Sequence, residues 1–83
     1  MHSFTKTAIV TGAGTGIGKA AALALLKNGY QVALAGRRQA LLEQVVADAG
    51  AAGTRALVVP TDVSDPVSVH TLFARTKEAF GRL

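Results

Sequence analysis

The sequence predicts an α/β fold, a doubly wound parallel sheet truncated to the order βαβαβα, with its strands adjacent in the order 3-2-1. Three observations predict it. Short apolar runs alternate three times with longer stretches of helix formers. Each short run stops at glycine or proline, and each long one at glycine or at the pair Asn28 and Gly29. Strands separated by single helices need crossovers, which makes the strands parallel and the crossovers right-handed.

Residues Thr7–Thr11, "TAIVT", are apolar and β-branched and run into Gly12, as a buried strand does. Ala, Leu and Lys dominate 17–27, and "NG" at Asn28 and Gly29 stops that helix. The run 31–35 is the second strand. After "GRR" a helix covers 39–49, where Leu41, Leu42, Val45 and Val46 recur at helical spacing and Gly50 and Gly53 end it. Residues 56–59 form the third strand, closed by Pro60. Ser64 or Asp65 then offers an N-cap with Pro66 at the first helical position, and a helix runs through Val69, Leu72, Phe73 and Phe80 to Gly81. A halt at Leu83 leaves the sheet one crossover short of its next strand.

Eighty-three residues make one small domain, and a chain of this size buries only ~60 to 65% of the surface its unfolded form exposes. With 49% hydrophobic and 17% charged residues it reads as the inside of something larger, and 1–83 are taken as the N-terminal part of a single nucleotide-binding domain whose remainder is absent. Cysteine is absent, so disulfides, zinc-thiolate sites and thiol nucleophiles are excluded, and His2 and His70 do not make a metal site. The opening residues show no secretory-signal pattern, so none is expected, and the longest apolar run, 20–26, is far short of the ~20 residues a membrane span needs. A soluble, cytoplasmic protein is expected, with no membrane partner. The net charge is +4, but Lys6, Lys19, Lys27, Arg55, Arg75, Lys77 and Arg82 form no run and read as solvated surface. With one tyrosine, three phenylalanines and no tryptophan there is no aromatic platform for single-stranded nucleic acid, so a nucleic-acid partner has only net charge behind it.

"TGAGTGIG" at 11–18 places four glycines at alternate positions directly after the first strand. A strand entering a tight glycine turn and then a helix aims free N–H groups and the positive end of the helix dipole at one point, where a pyrophosphate fits. Gly12 serves the turn, Gly16 the approach of phosphate to the main chain, and Gly18 the packing of helix on strand, while Gly14 has no assigned role. The Gly-x-Gly-x-x-Gly fingerprint does not fit, because it requires glycine at Ile17 or Lys19, and no Gly-Lys-Ser or Gly-Lys-Thr closes a P-loop. A glycine cluster alone is as readily a structural turn. Its place between this strand and this helix, with a second strand ending nearby, favours the nucleotide.

Here the sequence resembles the short-chain dehydrogenase/reductase family, in "TGAGTGIG" at 11–18, "ALAGRR" at 33–38, "TDVSD" at 61–65 and "EAFGRL" at 78–83. The resemblance covers essentially the whole chain and implies a Rossmann-like fold. In NAD-selective members the second strand ends in an acidic residue that holds the ribose hydroxyls, and Gly36 takes that place here. A guanidinium binds a 2′-phosphate by charge-assisted hydrogen bonds, so Arg37 and Arg38 are read as a 2′-phosphate clamp and NADP (NADPH) is favoured over NAD. Against this, many NADP-dependent relatives carry a basic residue where Thr15 stands. The resemblance further gives Asp62 as acceptor from the adenine amino group, freed for that task because Ser64 and Asp65 sit closer to the helix start, with Val63 lining the ring pocket. The cofactor-binding set is therefore Gly12, Thr15, Gly16, Ile17, Gly18, Arg37, Arg38, Asp62 and Val63, with no metal ligand. Thr11 and Thr15 organise the turn, and His70 is a helical, largely surface imidazole.

The resemblance implies reversible hydride transfer between a nicotinamide nucleotide and a small-molecule alcohol or carbonyl, and a homo-oligomeric full-length protein. The family's Asn-Asn-Ala-Gly strand, its serine and its Tyr-x-x-x-Lys pair would lie beyond Leu83. No catalytic residue is assigned in this chain, which alone is expected to be inactive. Tyr30 is the only tyrosine, Leu34 stands four positions on where a lysine is required, and Tyr30 precedes the second strand, away from the cofactor mouth. Asn28, the only asparagine, sits in a helix stop. The alternative is a stand-alone, non-catalytic NADP-binding or redox-sensing module.

Overall fold

The structure, a computed structural model, describes residues 6–81. His2, Arg82 and Leu83, weighed above, lie outside them. Three parallel strands, β1 (Thr7–Thr11), β2 (Gln31–Gly36) and β3 (Ala56–Pro60), alternate with helices α1 (Gly16–Lys27), α2 (Gln39–Asp48) and α3 (Pro66–Phe80). The sheet order is β1-β2-β3, which read from the other edge is the 3-2-1 expected. Thr7 to Thr11 register with Gln31 to Ala35, and Val32 to Gly36 with Ala56 to Pro60.

β2 lies between two strands and two helical layers, so Val32, Ala33, Leu34 and Ala35 are fully buried. Alternation along a strand sends Val32 and Leu34 to one face and Ala33 and Ala35 to the other. On the first face they pack with Ala22 and Leu26 of α1 and Leu42 and Val45 of α2. On the second, Ala33, Ala35 and Val59 meet Leu72 of α3. Small residues in β2 let α3 lie close to the sheet.

Several boundaries move by one residue. α1 starts at Gly16, β2 and β3 extend to Gly36 and Pro60, and α2 stops at Asp48. Of the two caps offered for α3, Asp65 is the one used: its carboxylate accepts from Val67 N–H at 3.0 Å, and Gly81 closes the helix in the left-handed region at φ 79°. The segment after α2 is not a plain loop but a 3-10 helix, Gly50–Arg55, folded back on α2. Gly53 permits this, since a Cβ there would stand 2.5 Å from the Val46 carbonyl oxygen.

The cations are less uniformly solvated than their scatter implies. Arg55 is half-buried and donates to the Leu26 carbonyl at the C-terminal end of α1, where a positive charge also suits the helix dipole. Lys19 of α1 pairs with Asp48 of α2 at 2.7 Å, and the Lys6 ammonium stands 5.9 Å from the centre of the Tyr30 ring. Spacing along the chain reveals none of these contacts, because the partners in each lie far apart in sequence. Among the described residues no helix is long and apolar enough to cross a membrane, and no cluster of three His, Cys, Asp or Glu could hold a metal.

Candidate functional site

Parallel strands present all their C-terminal ends at one edge, and the turn after β1 lies there beside the end of β2. Ala13, fully buried, donates its N–H to the Ala35 carbonyl at 3.1 Å, which fixes the glycine turn against the neighbouring strand. A cleft of about 230 Å³ opens between them, lined by Gly12, Gly14, Thr15, Gly36, Arg37, Arg38, Leu41 and Leu42. Four of the predicted residues, Gly12, Thr15, Arg37 and Arg38, line it directly. Gly16, Ile17 and Gly18 follow Thr15 as the first turn of α1.

The four glycines of the turn serve different ends. Gly12 and Gly16 have φ of 63° and 55°, a region L side chains rarely adopt, and nothing lies within 4 Å of where their Cβ atoms would be. Gly18 has an ordinary φ but no room, because its Cβ would stand 2.1 Å from the Gly12 carbonyl oxygen. It seats α1 on the turn. Gly14, without a role in the sequence, faces α2, where a Cβ would come within 2.8 Å of the Leu41 Cβ. The apolar spacing of α2 marks Leu41 and Leu42 as core residues, but nothing in it says that they also wall the cleft.

α1 leaves its first donors free. Thr15, the N-cap, is extended at φ −144°, and its hydroxyl makes no capping bond. The first intrahelical bond runs from Lys19 N–H to the Thr15 carbonyl at 3.2 Å, so the helix itself does not satisfy the N–H groups of Gly16, Ile17 and Gly18. No acidic residue sits in that turn to neutralise the dipole. With Gly16 open and Ile17 89% exposed, an anion can reach the backbone there.

At the end of β2, Arg37 and Arg38 add two positive charges and no carboxylate lines the cleft. The two arginines differ. Arg37 Nη2 stands 3.4 Å from Asp62 Oδ1, while Arg38 has no ion pair among the described residues. Asp62 is not the free carboxylate expected: its Oδ1 also accepts from the Ser64 hydroxyl at 2.6 Å and the Ser64 N–H at 3.0 Å. Those two bonds, the hydroxyl's first, hold its carboxyl below the usual carboxylate range, and the Arg37 charge adds to them against the opposing effect of burial. An aspartate two residues before a serine readily folds back on it, an interaction within the loop that is independent of the helix cap at Asp65. Val63 is exposed, and neither it nor Asp62 lines the cleft. His70 is exposed on α3, and Tyr30 precedes β2 at the opposite edge of the sheet.

Comparison with known proteins agrees with this geometry. The short chain dehydrogenase family matches residues 6–83. A short chain dehydrogenase/reductase, astE, of Aspergillus oryzae is 44% identical over 94% of this chain and 30% of its own length. Among solved structures, a short chain dehydrogenase/reductase from Burkholderia phymatum in complex with NAD superposes with a TM-score of 0.88 at 37% identity, covering 95% of this chain and 28% of that one. An alcohol dehydrogenase from Thermococcus sibiricus complexed with 5-hydroxy-NADP gives 0.86 at 35% identity, over 94% and 31%. The chain thus spans about 30% of the length of the first of these relatives and a similar share of the other two. Strand, glycine turn, helix and the crossovers that follow all fall inside one family match, and the chain belongs to the short chain dehydrogenase family.

Proposed function

We propose that residues 1–83 form the nucleotide-binding part of an NADP(H)-dependent oxidoreductase that interconverts a small-molecule alcohol and its carbonyl. One observation carries the cofactor assignment: the cleft beside the glycine turn is lined by Arg37 and Arg38 and by no carboxylate, with Gly36 where an acid would hold a 2′-hydroxyl. The residues present fit such a nucleotide. Gly16 and the free N–H groups at the start of α1 would hold the pyrophosphate, Gly12 and Thr15 the turn around it, and Gly18 the helix behind it. Ile17 and Val63 offer exposed apolar surface to the nucleotide, and Asp62 an acceptor to the adenine amino group. When bound, the nicotinamide supplies or accepts the hydride. The relatives' ligands include both NAD and an NADP derivative, so kinship alone leaves the 2′-phosphate open, and the arginine pair is what favours NADPH.

The test is a selectivity swap in the full-length protein, Gly36→Asp combined with Arg37→Leu. A Cβ at Gly36 would stand 3.2 Å from the Leu42 side chain, so that buried residue must give by a few tenths of an ångström. Losing a charge-assisted bond of ~1.5–3 kcal/mol moves the NADPH-to-NADH affinity ratio by about ten- to a hundredfold towards NADH. An unchanged ratio rejects the clamp.

A further inference from the structure

We infer that Asp62 is a positioning residue for cofactor selectivity, its carboxylate competing with a 2′-phosphate for the Arg37 guanidinium. The inference rests on the reading of Arg37 as part of the 2′-phosphate clamp. β2 and β3 are tied at their ends by Thr61 N–H, which donates to the Gly36 carbonyl at 2.7 Å. Arg37, which follows the end of β2, and Asp62, which follows Thr61 after β3, are thereby brought together beside the cleft.

The two partners are held very differently. Asp62 is anchored: its N–H donates to the Ser68 hydroxyl at 2.9 Å, and Ser64 grips Oδ1 through both hydroxyl and N–H. Arg37 is an arm in solvent, with 74% of its side-chain surface exposed. Its contact with Asp62 is long, at 3.4 Å, and shares an oxygen already engaged twice. Such exposed pairs are weak, so a phosphate with roughly two negative charges can draw the guanidinium away. That transfer gives up the Arg37–Asp62 contact. A nucleotide without the 2′-phosphate leaves the contact intact and loses nothing, so Asp62 narrows the preference for NADPH that the two arginines create. Arg38, with no ion pair among the described residues, carries no such penalty.

Because Asp62 is also read as an adenine contact, the test uses two ligands that share the adenine and differ only in the 2′-phosphate. Adenosine 2′,5′-bisphosphate and adenosine 5′-monophosphate are titrated calorimetrically into the full-length protein as wild type, Asp62→Asn, Arg37→Leu and the double variant. The expected result is a bisphosphate-to-monophosphate affinity ratio raised about two- to fivefold by Asp62→Asn, with that gain absent in the Arg37→Leu background. A ratio unmoved by Asp62→Asn, or raised equally in both backgrounds, overturns the inference while leaving the clamp intact, provided Arg37→Leu alone lowers the ratio. If Arg37→Leu alone leaves the ratio unchanged, the clamp reading fails and this inference falls with it. Should Asp62→Asn not fold, Asp62→Ser keeps an acceptor for the Ser64 N–H and completes the same cycle.

Discussion

At the scale of single residues, alternate glycines that look equivalent in the sequence separate into those that bend the chain and those that clear space. Gly16 belongs to the first kind and Gly18 to the second, which makes their substitutions distinguishable. Gly18→Ala drives a methyl group into the Gly12 carbonyl, and overpacking against backbone costs ~3 kcal/mol, the upper end of the usual range. Gly16→Ala meets no atom and pays only for its left-handed backbone, ~1 kcal/mol, but it places a methyl group where phosphate must approach. Thermal unfolding and NADPH titration should therefore dissociate: Gly18→Ala lowers the melting temperature most, and Gly16→Ala lowers affinity most. Equal affinity in a folded Gly16→Ala protein would return the turn to a purely structural role. The bend at Gly12 and the close packing at Gly18 were legible in the sequence because they follow from one strand, one turn and one helix. Gly14 stayed unexplained because its neighbour, Leu41, arrives from another element.

At the scale of elements, the pairing of α1 with α2 rests partly on charge. Lys19 and Asp48 meet at 2.7 Å, each about one third exposed. The bond from Lys19, followed by that from Gln44, lowers the Asp48 pKa from its ordinary 3.8. A carboxylate depressed in the folded state stabilises it above the unfolded value and loses that contribution as pH falls through the lower folded value. Asp48→Asn should accordingly reduce the melting temperature slightly near pH ~7, and the difference from wild type should shrink progressively as the pH falls below 3.8. A difference that persists in acid would assign the effect to packing. Helix and strand cores were legible from apolar spacing, and the cap of α3 down to two candidates, Ser64 and Asp65, of which the structure uses Asp65. The 3-10 helix at Gly50–Arg55 was not. Its stability comes from the fit of Gly53 against Val46 and from the reach of Arg55 to the end of α1, neither of which leaves a periodic trace.

At the scale of the whole molecule, three parallel strands bring the glycine turn, the two arginines and the Asp62 loop to one edge of the sheet, and leave Tyr30 at the other. The topology was readable because alternating strands and helices admit few arrangements. The interplay of Arg37 and Asp62 was not, since it joins residues 25 positions apart through the register of β2 and β3. The central claim is that this edge holds a nicotinamide nucleotide and prefers the one bearing a 2′-phosphate. Calorimetric titration of the protein with NADPH and with NADH, in one buffer at one ionic strength, is the direct test. NADPH is expected to bind about tenfold or more tightly than NADH, the equivalent of at least one charge-assisted bond. Equal affinities, or tighter binding of NADH, would contradict it.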